Sequence, residues 1–458
     1  MRPFRRMALA LSLLLLLLLG NLTWIQVLNA DAIRAHPDNT RILLEQYNKP
    51  RGPILVESTP IAISSRSAGS DVYQRTYLNG ALYAAATGYY SLLYGATGIE
   101  QYENTVLSGS DSRFFVDRVQ QLFAGRKRAV GAVTLTLNSA AQQAAFNVLK
   151  DHAGAVVALT PNTGAILALT SSPTFDPQAL APNDPDTVRA AYDALVADPK
   201  QPLVNRAIHT AYAPGSLLNL VTVTAALASG KFTLKSEIPG PASFTVPQTS
   251  STIATSTRTP CTSSGTLSVE KALQSSCSTA MAWLGSELGA DALRNAAEQF
   301  GFNAAIGIPT RVSVSRIVDG AAVITSPSDI RATPMAMAMV AASLANGGSL
   351  MQPYLVKEIR GPDLSVLDHA IPHELATPTS HRTASAIAAV MQQITQKQCP
   401  ECQIVGAPIA AVTATVGTRA WALAFTDHVA VAILLEDGSV SDALLAATSV
   451  IRSVIANY

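Results

Sequence analysis

The chain has 458 residues, more than one ordinary core holds, so two or three domains are expected. A hydrophobic content of 48% argues for a folded protein, and 14% charged residues at a net charge of +1 imply no polyanion partner such as nucleic acid. Within the body of the chain, Arg126-Lys127-Arg128 forms a short basic cluster that reads as a solvated loop, not a nucleic-acid patch.

The N-terminus breaks this even spread. Arg2, Arg5 and Arg6 precede a stretch from Met7 to Leu28 that carries no charge. At 1.5 Å per residue it is long enough to cross a hydrocarbon layer of about 30 Å. Arginines before the span place the N-terminus in the cytoplasm, and Trp24 suits the outer interface. The expectation is a cytoplasmic tail over 1–6, a single transmembrane anchor over 7–28 and a body outside the cell membrane. A cleaved signal peptide is the alternative, with Ala30-Asp31-Ala32 as its site, well beyond the leucine run. Residues 29–128 read as an N-terminal module of short strands and turns without an acid–base constellation. A boundary is expected near Gly125–Arg128, and 129–458 reads as the second domain.

That domain opens with a strand, then a helix capped by Asn138 or Ser139. Two apolar runs flanking Pro161-Asn162-Thr163-Gly164 predict a β-hairpin. From Ser216 a helix apolar nearly all round implies burial mid-domain. A Ser/Thr-rich surface loop follows over 246–265, then a helix whose start at Ser268 and Lys271 is an imperfect capping box. "IAAVTATVG", "AWALAF" and "VAVAILLED" predict an antiparallel meander, closed by an amphipathic C-terminal helix. Helices inserted between strands from both ends of a domain make the fold class α+β.

Four cysteines fit an oxidising compartment and allow three pairings. Cys399 and Cys402 are near enough to pair locally, which leaves Cys261 with Cys277. A zinc reading of "CPEC" lacks two further ligands, and a thioredoxin-like reading lacks its βαβ context. Structural disulfides are expected, with no metal and no cofactor.

The stretch "YAPGSLLNLVTVTAALASG" delivers Ser216 to the mouth of the apolar helix. The free N–H groups and dipole there favour negative charge, which suits an attacking alkoxide or an anionic substrate. The residue three positions on shares its face, where a partly neutral lysine could take the serine proton. Ser-x-x-Lys, Ser-x-Asn and Lys-Thr-Gly are the companion motifs of that chemistry.

"NRAIHTAYAPGSLLNLVTVTAALASG", "LSVEKALQSSCSTAMAWLG" and "ATVGTRAWALAFT" resemble, in order and spacing, the three motif segments of the class B, division-associated penicillin-binding proteins of actinobacteria. "RGPI", "LSGSD", "AVVALTPNTGAILALTSSPTFDP" and "ITSPSDIRATPMAMAMVAASLANGGSLMQPYLV" extend the resemblance over nearly the whole chain. It implies an antiparallel sheet with helices on both faces, a helical subdomain and a non-catalytic N-terminal module. The implied chemistry is D,D-transpeptidation of peptidoglycan. The serine attacks a stem-peptide D-Ala-D-Ala carbonyl, the acyl-enzyme is resolved by a second stem peptide, and β-lactams trap the serine. A glycosyltransferase of division or elongation is the implied partner.

The chain departs from the family at each motif. Asn219 stands at the lysine position, and an amide is no base at neutral pH. Ser-x-Asn reads Ser276-Cys277-Ser278, and Lys-Thr-Gly reads Thr415-Val416-Gly417, followed by Thr418. Arg419 would face the same side as Thr415 in a continuous strand but about 13 Å further along, so it is not expected to replace the lost cation. Ser216 then reads as a helix cap and His209 as a packed or solvated residue rather than a substitute base, while Lys231 and Lys235 lie beyond the helix end and would need to fold back to reach the serine. The expectation is a catalytically degenerate homologue that acts by binding or scaffolding, with weak or no binding of stem peptides and β-lactams. The alternative is an active transpeptidase that acylates Ser216 with a non-standard base.

Overall fold

The computed structural model describes residues 2–24, 49–66, 72–114, 130–317 and 329–456. The expected boundary at 125–128, the Ala30-Asp31-Ala32 segment and residues 25–28 of the expected anchor lie outside these. The chain divides into two units, 1–50 with 65–74, and 51–64 with 75–458. In the first, Arg2–Thr23 is a helix whose leucines from Leu13 to Leu19 are exposed. Among the described residues no helix is long and apolar enough to cross a membrane.

The second unit holds the predicted hairpin and meander as one antiparallel sheet. Its strands are β1 (Gly154–Leu159), β2 (Ile166–Ser172), β3 (Ala410–Val416), β4 (Arg419–Phe425) and β5 (Ala430–Leu435), in the order β3-β4-β5-β1-β2. Every residue of β1 and β5 is buried, as continuous Ala/Val/Ile/Leu runs require when both faces are covered. Alternation divides the sheet between two cores. Val157, Trp421 and Leu423 enter the larger one, and Val156, Ala420 and Ala422 the smaller. Helix α1 (Ser139–Val148) and the C-terminal helix α6 (Val440–Ile455) pack on the smaller core. Asn138 caps α1, accepting from the Ala141 N–H at 2.9 Å, and Ser439 with Asp442 forms a capping box on α6. On the other face lie α2 (Asn219–Ala228), α3 (Ser278–Leu288), α4 (Pro334–Ala345) and α5 (His381–Gln398). Pro334 to Leu344 are all buried, the fate of a helix without a polar face. Disulfides join Cys261 to Cys277 and Cys399 to Cys402.

A six-stranded sheet mixes distant parts of the chain. Val366–His369 and Val356–Arg360 continue through Ala132–Leu135 to Ile54–Val56, Thr59–Arg66 and Tyr73–Tyr77. Its strand Tyr73–Tyr77 contributes Arg75 and Tyr77 to an ion cluster. The buried Glu100 carboxylate accepts from Arg51 Nε at 2.5 Å and Arg75 Nε at 2.6 Å, and the Tyr77 hydroxyl donates to it at 3.1 Å. Burial pushes the Glu100 carboxyl up, but the guanidiniums of Arg75 and Arg51 outweigh this and hold it below its ordinary value.

Candidate active site

The segment before Ser216 is braced from three sides. Tyr212 exchanges two backbone hydrogen bonds with Ala332, and Trp421 Nε1 donates to the Ala213 carbonyl at 3.1 Å. The Tyr212 hydroxyl donates to Glu436 Oε1 at 2.7 Å, and Arg206 Nε holds the same oxygen at 3.2 Å. Burial, then the hydrogen bond and charge of Glu436, raise the Tyr212 hydroxyl far above its ordinary value, so it stays a donor. The sequence reading missed this brace. Nothing in local pattern links Tyr212 to Trp421 and Glu436, more than 200 positions away, although an aromatic two residues before Pro-Gly is a usable hint.

Gly215, at φ 60, turns the chain into a 3-10 turn over Gly215–Leu218 that runs on into α2. Ser216 is therefore inside the first turn and not a cap. Pro214 and Leu218 hold the cap positions, and neither makes a side-chain cap bond. The expected cap role is corrected by this: the 3-10 turn moves the helix start one residue ahead of the serine. A Cβ on Gly215 would stand 2.5 Å from Val416 Cγ2. Gly215→Ala is expected to cost at least about 1–2 kcal/mol from the left-handed backbone alone, read as a lower urea midpoint. An unchanged midpoint would contradict this tight contact between the turn and β3.

Ser216, Asn219, Ser276, Ser278, Thr415 and Val416 converge on one cleft of about 330 Å³. Leu218, Ile253, Met281 and Leu293 supply apolar wall. Among the described residues lining it, none is ionisable. Ser276 adopts φ 50 in the turn before α3, and the Cys261–Cys277 disulfide ties that turn to the 261–265 loop. Ser278 Oγ donates to the Ala254 carbonyl at 3.2 Å. Gly417 and Thr418 do not line the cleft. They form the two-residue turn between β3 and β4, with Gly417 at φ 62, and Thr418 Oγ1 donates to the Glu436 carbonyl at 3.0 Å.

That turn corrects the expectation for Arg419. The strand is not continuous: it reverses after Val416, so Arg419 is the cross-strand partner of Val416 and not a residue about 13 Å beyond Thr415. Its guanidinium lies over the Tyr212 ring, 5.5 Å from the centroid, outside the cleft lining. His209 lines a different cavity, and Lys231 and Lys235 are exposed and absent from the cleft wall.

Residues 154–419 match the penicillin-binding protein transpeptidase domain, and residues 51–133 the penicillin-binding protein A dimerisation domain. The chain is 38% identical to the peptidoglycan D,D-transpeptidase PbpA of Mycolicibacterium smegmatis, over 95% of this chain and 93% of that protein. It is 37% identical to PbpA of Mycobacterium tuberculosis strain H37Rv, over 95% of this chain and 94% of that one. The structure of M. tuberculosis penicillin-binding protein A as a penicillin G acyl-enzyme superposes with a TM-score of 0.83 at 34% identity, covering 89% of this chain and all of that one. The chain belongs to the penicillin-binding protein transpeptidase family, as a class B member close to mycobacterial PbpA.

Proposed function

We propose that this protein is a catalytically degenerate member of its family, acting in cell-wall synthesis and cell division by binding or scaffolding rather than by transpeptidation. One observation carries the reading: the cleft around Ser216 has no ionisable side chain in its described wall. A serine hydroxyl attacks a carbonyl only as its proton leaves, and Asn219 is no proton acceptor at neutral pH. In serine hydrolases, loss of base or nucleophile costs on the order of 10⁴–10⁶ in turnover. Thr415 and Val416 also remove the cation and hydroxyl that would hold a substrate carboxylate, and an unpaired buried charge adds roughly 1–3 kcal/mol. An active enzyme with a non-standard base would need that base in the cleft, where neither His209 nor Lys231 nor Lys235 stands.

In this reading residues 1–6 are cytoplasmic and 7–28 anchor the chain as a single pass in the cell membrane. Residues 29–128 form a non-catalytic module, and 129–458 form the transpeptidase-like domain outside. A membrane glycosyltransferase is the partner it would scaffold. Stem peptides and β-lactams would bind weakly or not at all. The test is incubation of the purified chain with a fluorescent penicillin, followed by denaturing electrophoresis. No covalent band is expected. A band that disappears in Ser216→Ala would overturn the reading.

A further inference from the structure

His209 walls a second cavity, of about 220 Å³, set apart from the Ser216 cleft. One side comes from the helix Gly80–Thr87 and the turn after it, the other from the 202–209 segment that leads to Ser216. We propose that this cavity binds an uncharged pyranose ring, with hydroxyls donating to Asn205 and His209 and a C–H face against its aromatic wall.

Asn205 provides the first observation. Its Nδ2 donates to the Ala85 carbonyl at 2.7 Å, while its Oδ1 is buried without a partner. A buried acceptor left unmet is costly, so a ligand donor there is favoured. The polar neighbours do not fill the role. Thr97 Oγ1 accepts from the Tyr89 N–H, Ser171 Oγ donates to the Val204 carbonyl, and Thr174 Oγ1 donates to the Ala81 carbonyl.

His209 follows in the same turn, its backbone N–H donating to the Asn205 carbonyl at 2.8 Å, and both residues line the cavity. His209 is exposed as a residue, at the mouth of the cavity, but partial desolvation of its ring pushes it below its ordinary value, partly offset by a hydrogen bond with the Arg311 backbone. A neutral ring in this position keeps one acceptor nitrogen. Two acceptors on one cavity wall favour a ligand that carries more than one hydroxyl donor.

The remaining wall is aromatic. Tyr89 meets Phe175 edge to face at 6.1 Å, and Tyr192 is stacked on Tyr94 at 3.8 Å, which holds its ring in place. Among the described lining residues there is no Asp, Glu, Lys or Arg. An ionic ligand would find no counter-charge, whereas a sugar brings hydroxyl donors on its rim and apolar faces above and below. The volume admits one such ring.

Saturation-transfer NMR on the purified full-length chain, in a detergent without a sugar headgroup, tests this with methyl β-D-glucopyranoside and N-acetylglucosamine as probes and benzimidazole as competitor. Saturable transfer to at least one sugar is expected. Asn205→Leu and Tyr192→Ala should each weaken it roughly tenfold, the loss of one hydrogen bond or one ring contact. A control, Tyr192→Phe, keeps the ring stacked on Tyr94 and should bind as the unaltered chain does, with all unfolding midpoints measured alongside, which separates a lost ring contact from lost folding. No saturable transfer at tens of millimolar overturns the proposal. So does binding that Asn205→Leu and Tyr192→Ala both retain, or displacement of the sugar by benzimidazole at lower concentration.

Discussion

The triple substitution Asn219→Lys, Thr415→Lys and Val416→Thr is expected to convert an inert chain into one that fluorescent penicillin labels at Ser216. A lysine at 219 would emerge one turn after Ser216 into a wall that includes Leu218 and Met281. Partial desolvation there lowers an amine's pKa and leaves part of it neutral, as a base requires. The exposed position of Thr415 lets a second lysine point into the cleft at little desolvation cost. Threonine keeps the branched shape that packs against Gly215 while returning a hydroxyl. The acylation rate should rise by a factor on the order of 10⁴, the scale of a restored base, and Asn219→Lys alone should give a part of it. An inert triple variant with an unchanged unfolding midpoint would mean that the short Gly417-Thr418 turn has reshaped the cleft, and that missing groups are not the whole cause.

Glu100→Gln is expected to be the most destabilising single change on the N-terminal side. It leaves Arg51 and Arg75 buried with an amide in place of their shared carboxylate, while the shape stays the same. Breaking a buried pair by removing one partner costs about 3–5 kcal/mol, so the urea midpoint should fall sharply. The acid profile gives an independent check. The folded Glu100 carboxyl is held below its unfolded value, near 4.3. Its contribution is therefore complete above that value and is lost as pH falls through the lower folded value. The wild-type chain should lose stability below about pH 4, and the variant should lack that component. A midpoint shift equivalent to under about 1 kcal/mol, the worth of an exposed pair, would contradict the buried-cluster account.

Elements set by local pattern were legible in the sequence. The hairpin around Pro161–Gly164, the meander from Ala410 to Leu435 and the Asn138 cap each rest on residues within a few positions of one another. What escaped depends on distant partners. Nothing near Val356 announces pairing with Ala132–Leu135, and nothing near Tyr212 announces Glu436. The place expected for Arg419 takes "TVGTRAW" as one strand, although the meander predicted from the same residues breaks there, and the positive φ of Gly417 belongs to that break. The motif positions Ser216, Asn219, Ser276, Ser278, Thr415 and Val416 are legible as a set through the resemblance of their segments to the family's motifs, yet the wall that joins them, free of ionisable groups, includes Ile253 and Leu293 from segments that carry no motif. The second cavity was invisible in sequence, since His209 and Asn205 acquire their meaning from Tyr89 and Phe175 across the fold.

Intact-protein mass spectrometry with peptide mapping, after the purified chain is mixed with penicillin G for minutes, bears most directly on the inert hydroxyl. The account predicts an unmodified mass and an unmodified Ser216 peptide. An increment equal to the antibiotic, located on Ser216 Oγ, would contradict it.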